Sequence, residues 1–138
     1  MIKEDCLFCK IAKGEIHSAT VYEDSHFTVI LDVNPATKGH CLIIPKEHFD
    51  NIYDLDGETA GKLFALATCI ARAMRDALKC DGLNLVQNNG EIAGQTVNHF
   101  HLHLIPRYEG DGLNLNWPQQ EISGEQLEEI GQSIKKSI

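Results

Sequence analysis

Histidines at positions 99, 101 and 103 alternate with Phe100, Leu102 and Leu104, and the run closes on Ile105 and Pro106. A period of two fits a pleated strand and no helix, because successive strand side chains leave on opposite faces. The segment is therefore expected to be a strand beginning at His99, with three imidazoles on one face and an apolar row on the other. Packing gives no reason to align three titratable rings, so the histidine face reads as chemistry and the apolar face as core.

The pattern around this run points to a fold class. Residues 20–23 and 26–31 are rich in Val, Ile, Tyr, Phe and Thr on either side of Asp24-Ser25, which predicts a hairpin. Asn34-Pro35 and Lys38-Gly39 mark a turn, and residues 40–44 form a third strand closed by Pro45. Asp56 is a fitting N-cap for a helix over residues 57–79, where Leu63, Leu66, Ala67, Ile70, Met74 and Leu78 recur at helical spacing. That stripe, Met74 included, is the face expected to cover the sheet. Residues 82–87 read as a fourth strand, 88–97 as a polar loop and the histidine run as a fifth strand. Ser123 and Gln126 are placed to cap a short helix over 124–136. Strands joined by short turns around one helix predict an α+β fold: an antiparallel five-stranded sheet with one long helix and a short C-terminal helix. At 138 residues the whole chain, 1–138, is expected to be one domain.

Composition narrows the function. The longest apolar stretches, 27–31 and 41–44, are far shorter than a membrane span, and the N-terminus lacks the charged-then-apolar layout of a secretion signal. A cytoplasmic protein is expected. Five cysteines are an odd number, and a reducing compartment disfavours a disulfide framework. A net charge of −8 argues against a nucleic-acid surface, which needs a basic face. Cys6-Leu7-Phe8-Cys9 is a Cys-x-x-Cys turn that can bring two thiolates to one ion, which half completes a tetrahedral zinc site. Cys41, Cys69 and Cys80 lie in apolar strand or helix patterns and read as small core residues, so histidine is the expected source of the other two ligands. His48, after the third strand, and His99 are the candidates for a structural Cys2His2 zinc site; the alternative is a free dithiol with His48 at the surface.

With His99 on metal, His101 and His103 are left facing one cleft. One ring can attack phosphorus while another holds charge on a phosphoryl oxygen. Gly94-Gln95-Thr96, just before the strand, can add backbone N–H groups, an amide and a hydroxyl around an anion. His40 begins a strand that can pair beside the histidine strand and is a fourth candidate ring.

These residues match a known signature. His99-Phe100-His101-Leu102-His103-Leu104-Ile105 resembles the His-φ-His-φ-His-φ-φ motif of the histidine triad (HIT) superfamily, φ being apolar. The likeness runs from Cys6-Leu7-Phe8-Cys9-Lys10-Ile11 through Asp32, Gly39-His40 and Ile44-Pro45-Lys46-Glu47-His48 to Gly94-Gln95-Thr96-Val97, and reaches Trp117-Pro118. It looks nearest to the Hint-like branch in its bacterial form, which implies a nucleotide-binding homodimer hydrolysing nucleoside phosphoramidates or related phosphoanhydrides. By resemblance His101 is the nucleophile forming a nucleotidyl-histidine, with His103 and His40 assisting at the phosphate. Asp32 would accept from the ribose hydroxyls, Ile30 and Val33 would line the base slot, and Asn88, Gly94, Gln95 and Thr96 would hold the phosphate or leaving group. Zinc-carrying members have Cys, Cys, His and His at the places of Cys6, Cys9, His48 and His99, and all four are present. The purine nucleotide is the expected ligand, with no nucleic acid and no membrane. Other functions also fit the chain: a dinucleoside polyphosphate hydrolase, a hydrolase with a catalytic zinc on the three triad rings, or a non-catalytic nucleotide-sensing dimer.

Overall fold

In the computed structural model, which describes residues 3–138, Asp24 makes the first turn. Its carboxylate accepts from the N–H groups of His26 and Phe27 at 2.7 Å each, an Asx-type closure that folds β1 (Thr20–Glu23) onto β2 (Phe27–Leu31). β3 (Cys41–Pro45) returns beside β2, β4 (Gly82–Val86) follows the long helix, and β5 (Leu102–Arg107) inserts between β3 and β4. The order is β1-β2-β3-β5-β4, antiparallel at every step. Three helices complete the chain: α1 (Leu7–Ala12), α2 (Gly57–Leu78) and α3 (Gly124–Lys136). The α+β fold is thus as the pattern predicts.

Strand alternation divides the sheet into two faces. Phe27 and Val29 on β2, Cys41 and Ile43 on β3, and Leu102 and Leu104 on β5 pack with Leu63, Ala67, Ile70 and Met74 of α2. Burying each such side chain contributes about 1.5–3 kcal/mol, enough for one amphipathic helix to hold this face. Asp56 starts α2 as expected, its carboxylate accepting from Thr59 N–H at 2.9 Å, and Lys79 ends it in the left-handed region. On the other face Ile30, Leu42 and Ile44 form a smaller cluster with Phe8 of α1. No helix among the described residues is long and apolar enough to cross a membrane.

Three local expectations need correction. Pairing of the histidine run begins at Leu102, not His99, because the facing residue beyond the Ile43–Leu102 pair runs into Pro45, which has no N–H to donate. Pro45 O goes to the His99 ring and the Phe100 N–H goes to Phe49 O, so residues 99–101 are held by other bonds while Phe100 still points into the core. The Cys-x-x-Cys segment is the start of a helix and not a turn: Cys6 is its N-cap, its sulfur accepting from Cys9 N–H at 3.4 Å. Cys41 is a core residue, but Cys69 is exposed and Cys80 half-buried; Ile70 takes the inward position of α2 and leaves Cys69 one step round the helix.

Gly39 sets the approach to His40. Its φ is +94°, and a Cβ there would run into the Leu78 side chain at the end of α2. Gly39→Ala is expected to destabilise the protein by about 1–3 kcal/mol; an unchanged urea midpoint would show that neither the backbone angle nor the Leu78 contact matters.

Candidate active site and metal centre

The register of β3 against β5 opposes Leu42 with His103, and the loop into β3 carries His40 alongside, so two histidines 63 positions apart meet with His40 Nε2 2.9 Å from His103 Nδ1. The loop is pinned by Thr37, whose hydroxyl donates to Pro106 O. Hydrogen-bond logic assigns the protons. Ala36 N–H donates to His40 Nδ1 at 3.0 Å, so the neutral His40 ring carries its proton on Nε2 and donates it to His103 Nδ1. His103 is left with a proton on Nε2. Asp32 Oδ2 lies 3.7 Å from His40 Nε2, while Asp32 Oδ1 accepts from Asn34 N–H.

His101 is set the opposite way. Its Nδ1 lies 2.7 Å from His99 O, which can only accept, so Nδ1 holds the proton and Nε2 keeps its lone pair. The ring is buried, edge-on to Phe8 at 4.9 Å and to His103 at 4.9 Å between centroids. Burial pushes the His103 ring down to about 4, with His101 and His40 adding repulsion, and burial also lowers His101 and His40, the latter against an opposing pull from Asp32. At neutral pH the cleft therefore holds a neutral ring with a lone pair on Nε2, His101, beside the neutral His40–His103 donor pair.

The first triad histidine faces elsewhere. His99 Nε2 lies 2.8 Å from Pro45 O and must donate to it, which turns Nδ1 toward Cys6 Sγ at 3.3 Å and Cys9 Sγ at 3.4 Å. His48 is arranged likewise: Nε2–H donates to Asp50 Oδ1 at 2.7 Å and Nδ1 lies 3.4 Å from Cys9 Sγ. The four donor atoms fall within 4.8 Å of one another. A tetrahedral zinc with bonds of ~2.0–2.3 Å spaces its sulfur and nitrogen ligands by about 3.5 Å, so these residues fit the ion. Each ring also has the outer hydrogen bond, to carboxylate or carbonyl, that metal-bound histidines use. The His48 side chain is 5% exposed, which does not fit the surface residue of the free-dithiol alternative. Asp32, His40 and His103 also cluster within 4.8 Å, but a metal there would need a lone pair on His40 Nε2, and the Ala36 N–H has already claimed the other nitrogen's lone pair. The three triad rings do not form a metal group among the described residues, which removes the geometry for a catalytic zinc on all three.

The remaining expected residues divide. Ile30 is buried beside Phe8, and Asn88 is half-buried near Gly94, while Thr96 is exposed and Val33 is 87% exposed. Gln95 is buried and spends its amide on the loop: Oε1 accepts from Gly90 N–H at 2.8 Å, and Nε2 donates to Asp50 O and Val97 O. It shapes the loop in place of reaching into the cleft. Sequence reasoning missed Asp50, Ala36 and Phe8. Phe8 lies between the two thiols and carried an apolar signal only; the other two act through a fold-dependent approach that leaves no motif.

A family model described as the HIT domain matches residues 13–110. The Schizosaccharomyces pombe protein named adenosine 5′-monophosphoramidase hnt1 is 37% identical over 96% of this chain and 98% of its own. A solved HIT family protein from Bacillus subtilis superposes with a TM-score of 0.92 at 47% identity, covering 98% of each chain. A zinc-bound histidine triad family protein from Mycobacterium smegmatis superposes with a TM-score of 0.76 at 40% identity, over 97% of this chain and 98% of that one.

Asp50→Ala should weaken zinc binding about 10–100-fold while leaving the stoichiometry at one ion per chain, because it removes only the outer bond that orients His48; affinity equal to wild type in a chelator competition would refute that role. A second expectation follows from His103. Its folded value of about 4 lies below the unfolded ~6.5, so the unfolded chain takes up the extra proton between these limits. The stability this ring contributes is full above about pH 6.5 and is lost as pH falls toward 4. Urea midpoints from pH 7 to 5 should therefore decline less steeply in His103→Gln than in wild type, and parallel declines would contradict it.

Proposed function

This chain belongs to the HIT domain family, and on that premise we propose that it is a nucleotide hydrolase cleaving nucleoside phosphoramidates or related phosphoanhydrides through a covalent nucleotidyl-histidine. The observation that carries this reading is the opposed tautomers of neighbouring rings, with an open lone pair on His101 Nε2 and a donor hydrogen on His103 Nε2. The His101 lone pair forms a bond to the α-phosphorus as the bond to the leaving group breaks, and the leaving group departs with that electron pair. The ring gains positive charge as it attacks, and its Nδ1–H bond to His99 O strengthens in response. His103 Nε2–H serves a phosphoryl oxygen, backed by His40. Water then attacks the same phosphorus from the opposite side, which releases the monophosphate and restores His101.

In this reading Asp32 accepts from the ribose hydroxyls and Ile30 and Val33 meet the base; Asn88, Gly94 and Thr96 serve the phosphate or leaving group, and Gln95 holds their loop. Cys6, Cys9, His48 and His99 would bind zinc, which supplies no chemistry to the phosphate and cross-links α1 to the approach to β5. The similarity of the fission-yeast phosphoramidase favours a purine phosphoramidate over a dinucleoside polyphosphate. In this reading the protein works as a cytoplasmic homodimer.

Rapidly quenched reactions with adenosine phosphoramidate, followed by intact-protein mass spectrometry, test the reading. Wild type should gain the mass of one AMP transiently. His101→Ala should show no adduct and lose turnover by on the order of 10⁴-fold or more while still binding AMP. Product formation by the variant at the wild-type rate would remove His101 as nucleophile, and no turnover by wild type would remove the substrate class.

A further inference from the structure

The outer half of β5 has β4 on one side and, on the other, the loop that carries His40. Pairing of β3 with β5 stops where Cys41 faces Leu104, while β5 runs on to Arg107. The N–H and C=O of one antiparallel strand residue point to the same neighbour, and Pro106 has a carbonyl but no N–H to offer the loop. Two side-chain hydroxyls supply donors here. Thr37, buried in the loop, donates its hydroxyl to Pro106 O. Tyr108, just past the end of β5, reaches back and donates its phenol to Lys38 O at 2.6 Å. The two bonds run in opposite directions between neighbouring loop residues and the end of the strand, so together they fix the distance and the tilt of the loop.

What this clamp encloses is the tautomer of His40. Ala36, whose N–H donates to His40 Nδ1 at 3.0 Å, immediately precedes Thr37, and His40 follows Lys38 after Gly39. Residues 37 and 38 are therefore the span whose shape keeps the Ala36 N–H on the ring. That bond puts the His40 proton on Nε2, 2.9 Å from His103 Nδ1. The Tyr108 end is itself anchored. Tyr108 N–H donates to Asp111 Oδ2 at 3.0 Å, and the same carboxylate accepts from Arg107 Nε and Nη2 at 2.8 and 3.1 Å and from Leu113 N–H at 2.9 Å. Arg107 Nη1 continues to Asn84 Oδ1 on β4 at 3.0 Å. A bidentate guanidinium–carboxylate pair is geometrically strict, so it holds the residue that carries the phenol against the sheet.

We propose that Thr37 and Tyr108 are positioning residues for the phosphate chemistry, acting only through His40. They hold the loop in the arrangement in which His40 donates to His103 and His103 keeps a hydrogen on Nε2. The inference rests on the reading above in which the His40–His103 pair serves a phosphoryl oxygen. If the loop relaxes and the Ala36 N–H leaves Nδ1, the His40 proton can move from Nε2 to Nδ1. His40 Nε2 then presents a lone pair to His103 Nδ1, which must carry the proton to meet it, and the hydrogen on His103 Nε2 is lost. Both hydroxyls are spent on backbone carbonyls and neither is offered to the nucleotide, so their removal acts on the chemical step and leaves binding alone.

Turnover of adenosine phosphoramidate and binding of AMP by the full chain test the proposal, together with long-range proton–nitrogen correlation spectra of the histidine rings. Thr37→Val and Tyr108→Phe should each lower kcat about 10-fold with KM and AMP affinity unchanged. Thr37→Ser, which keeps the hydroxyl, should retain the wild-type rate. In a His40→Gln background neither substitution should cost anything more, because the effect runs through that ring. A loss that multiplies with that of His40→Gln, or an unchanged kcat, would overturn the positioning role. The spectra judge the clamp without reference to activity: wild-type His40 should carry its proton on Nε2 alone, and the double variant Thr37→Val, Tyr108→Phe should show both tautomers. A double variant that keeps the wild-type tautomer would overturn the clamp. A wild type that does not turn over would remove the phosphoramidate reading, and the ring spectra would still decide whether the two hydroxyls set His40.

Discussion

The hydrogen bond from the buried His99 ring to Pro45 O is the constraint on which the working half of the molecule depends. It uses the carbonyl of a residue that cannot continue the β3–β5 ladder as a donor, and it fixes which nitrogen of His99 is free. That nitrogen faces two thiols from α1, and the carbonyl of the same His99 holds the next ring, His101, by Nδ1. One residue thus joins the thiol–histidine cluster, the end of the central strand and the His101 ring. Phe8 reinforces the link, since it lies between Cys6 and Cys9 and packs edge-on to both His99 and His101.

The cleft works by sorting protons rather than by concentrating charge. Four histidines in one region would repel if charged, and burial keeps the deepest of them neutral. Neutral rings have directional needs, and each need here is met by a group of known polarity: a backbone N–H on His40, and carbonyls on His99 and His101. The result is one ring that offers a lone pair beside another that offers a hydrogen. The same test separates the two metal-like clusters. Both bring donor atoms within 4.8 Å, but only the thiol cluster leaves free lone pairs on its histidines.

Much of the fold was legible because it follows from local rules. The two-residue period of 102–105, the caps at Asp56 and Ser123, and the stripe of α2 each state a preference that tertiary contacts did not override. The errors fell where a neighbour decided. His99 looked like a strand residue until Pro45 ended the ladder; Cys69 looked like core until the phase of α2 turned it outward; Gln95 looked like a ligand group until Gly90, Asp50 and Val97 took up its amide.

By itself the sequence determined the alternation that lines up three histidines, the antiparallel α+β plan and the set of residues able to hold zinc, because residue type and spacing carry these directly. Tertiary structure decided what each ring does. Whether an imidazole nitrogen donates, attacks or ligates depends on the polarity of the one atom facing it, and Ala36 N–H, Pro45 O, His99 O and the Asp50 carboxylate reach their rings only through turns and strand register. A backbone N–H or carbonyl is the same in every residue, so no sequence motif can announce it.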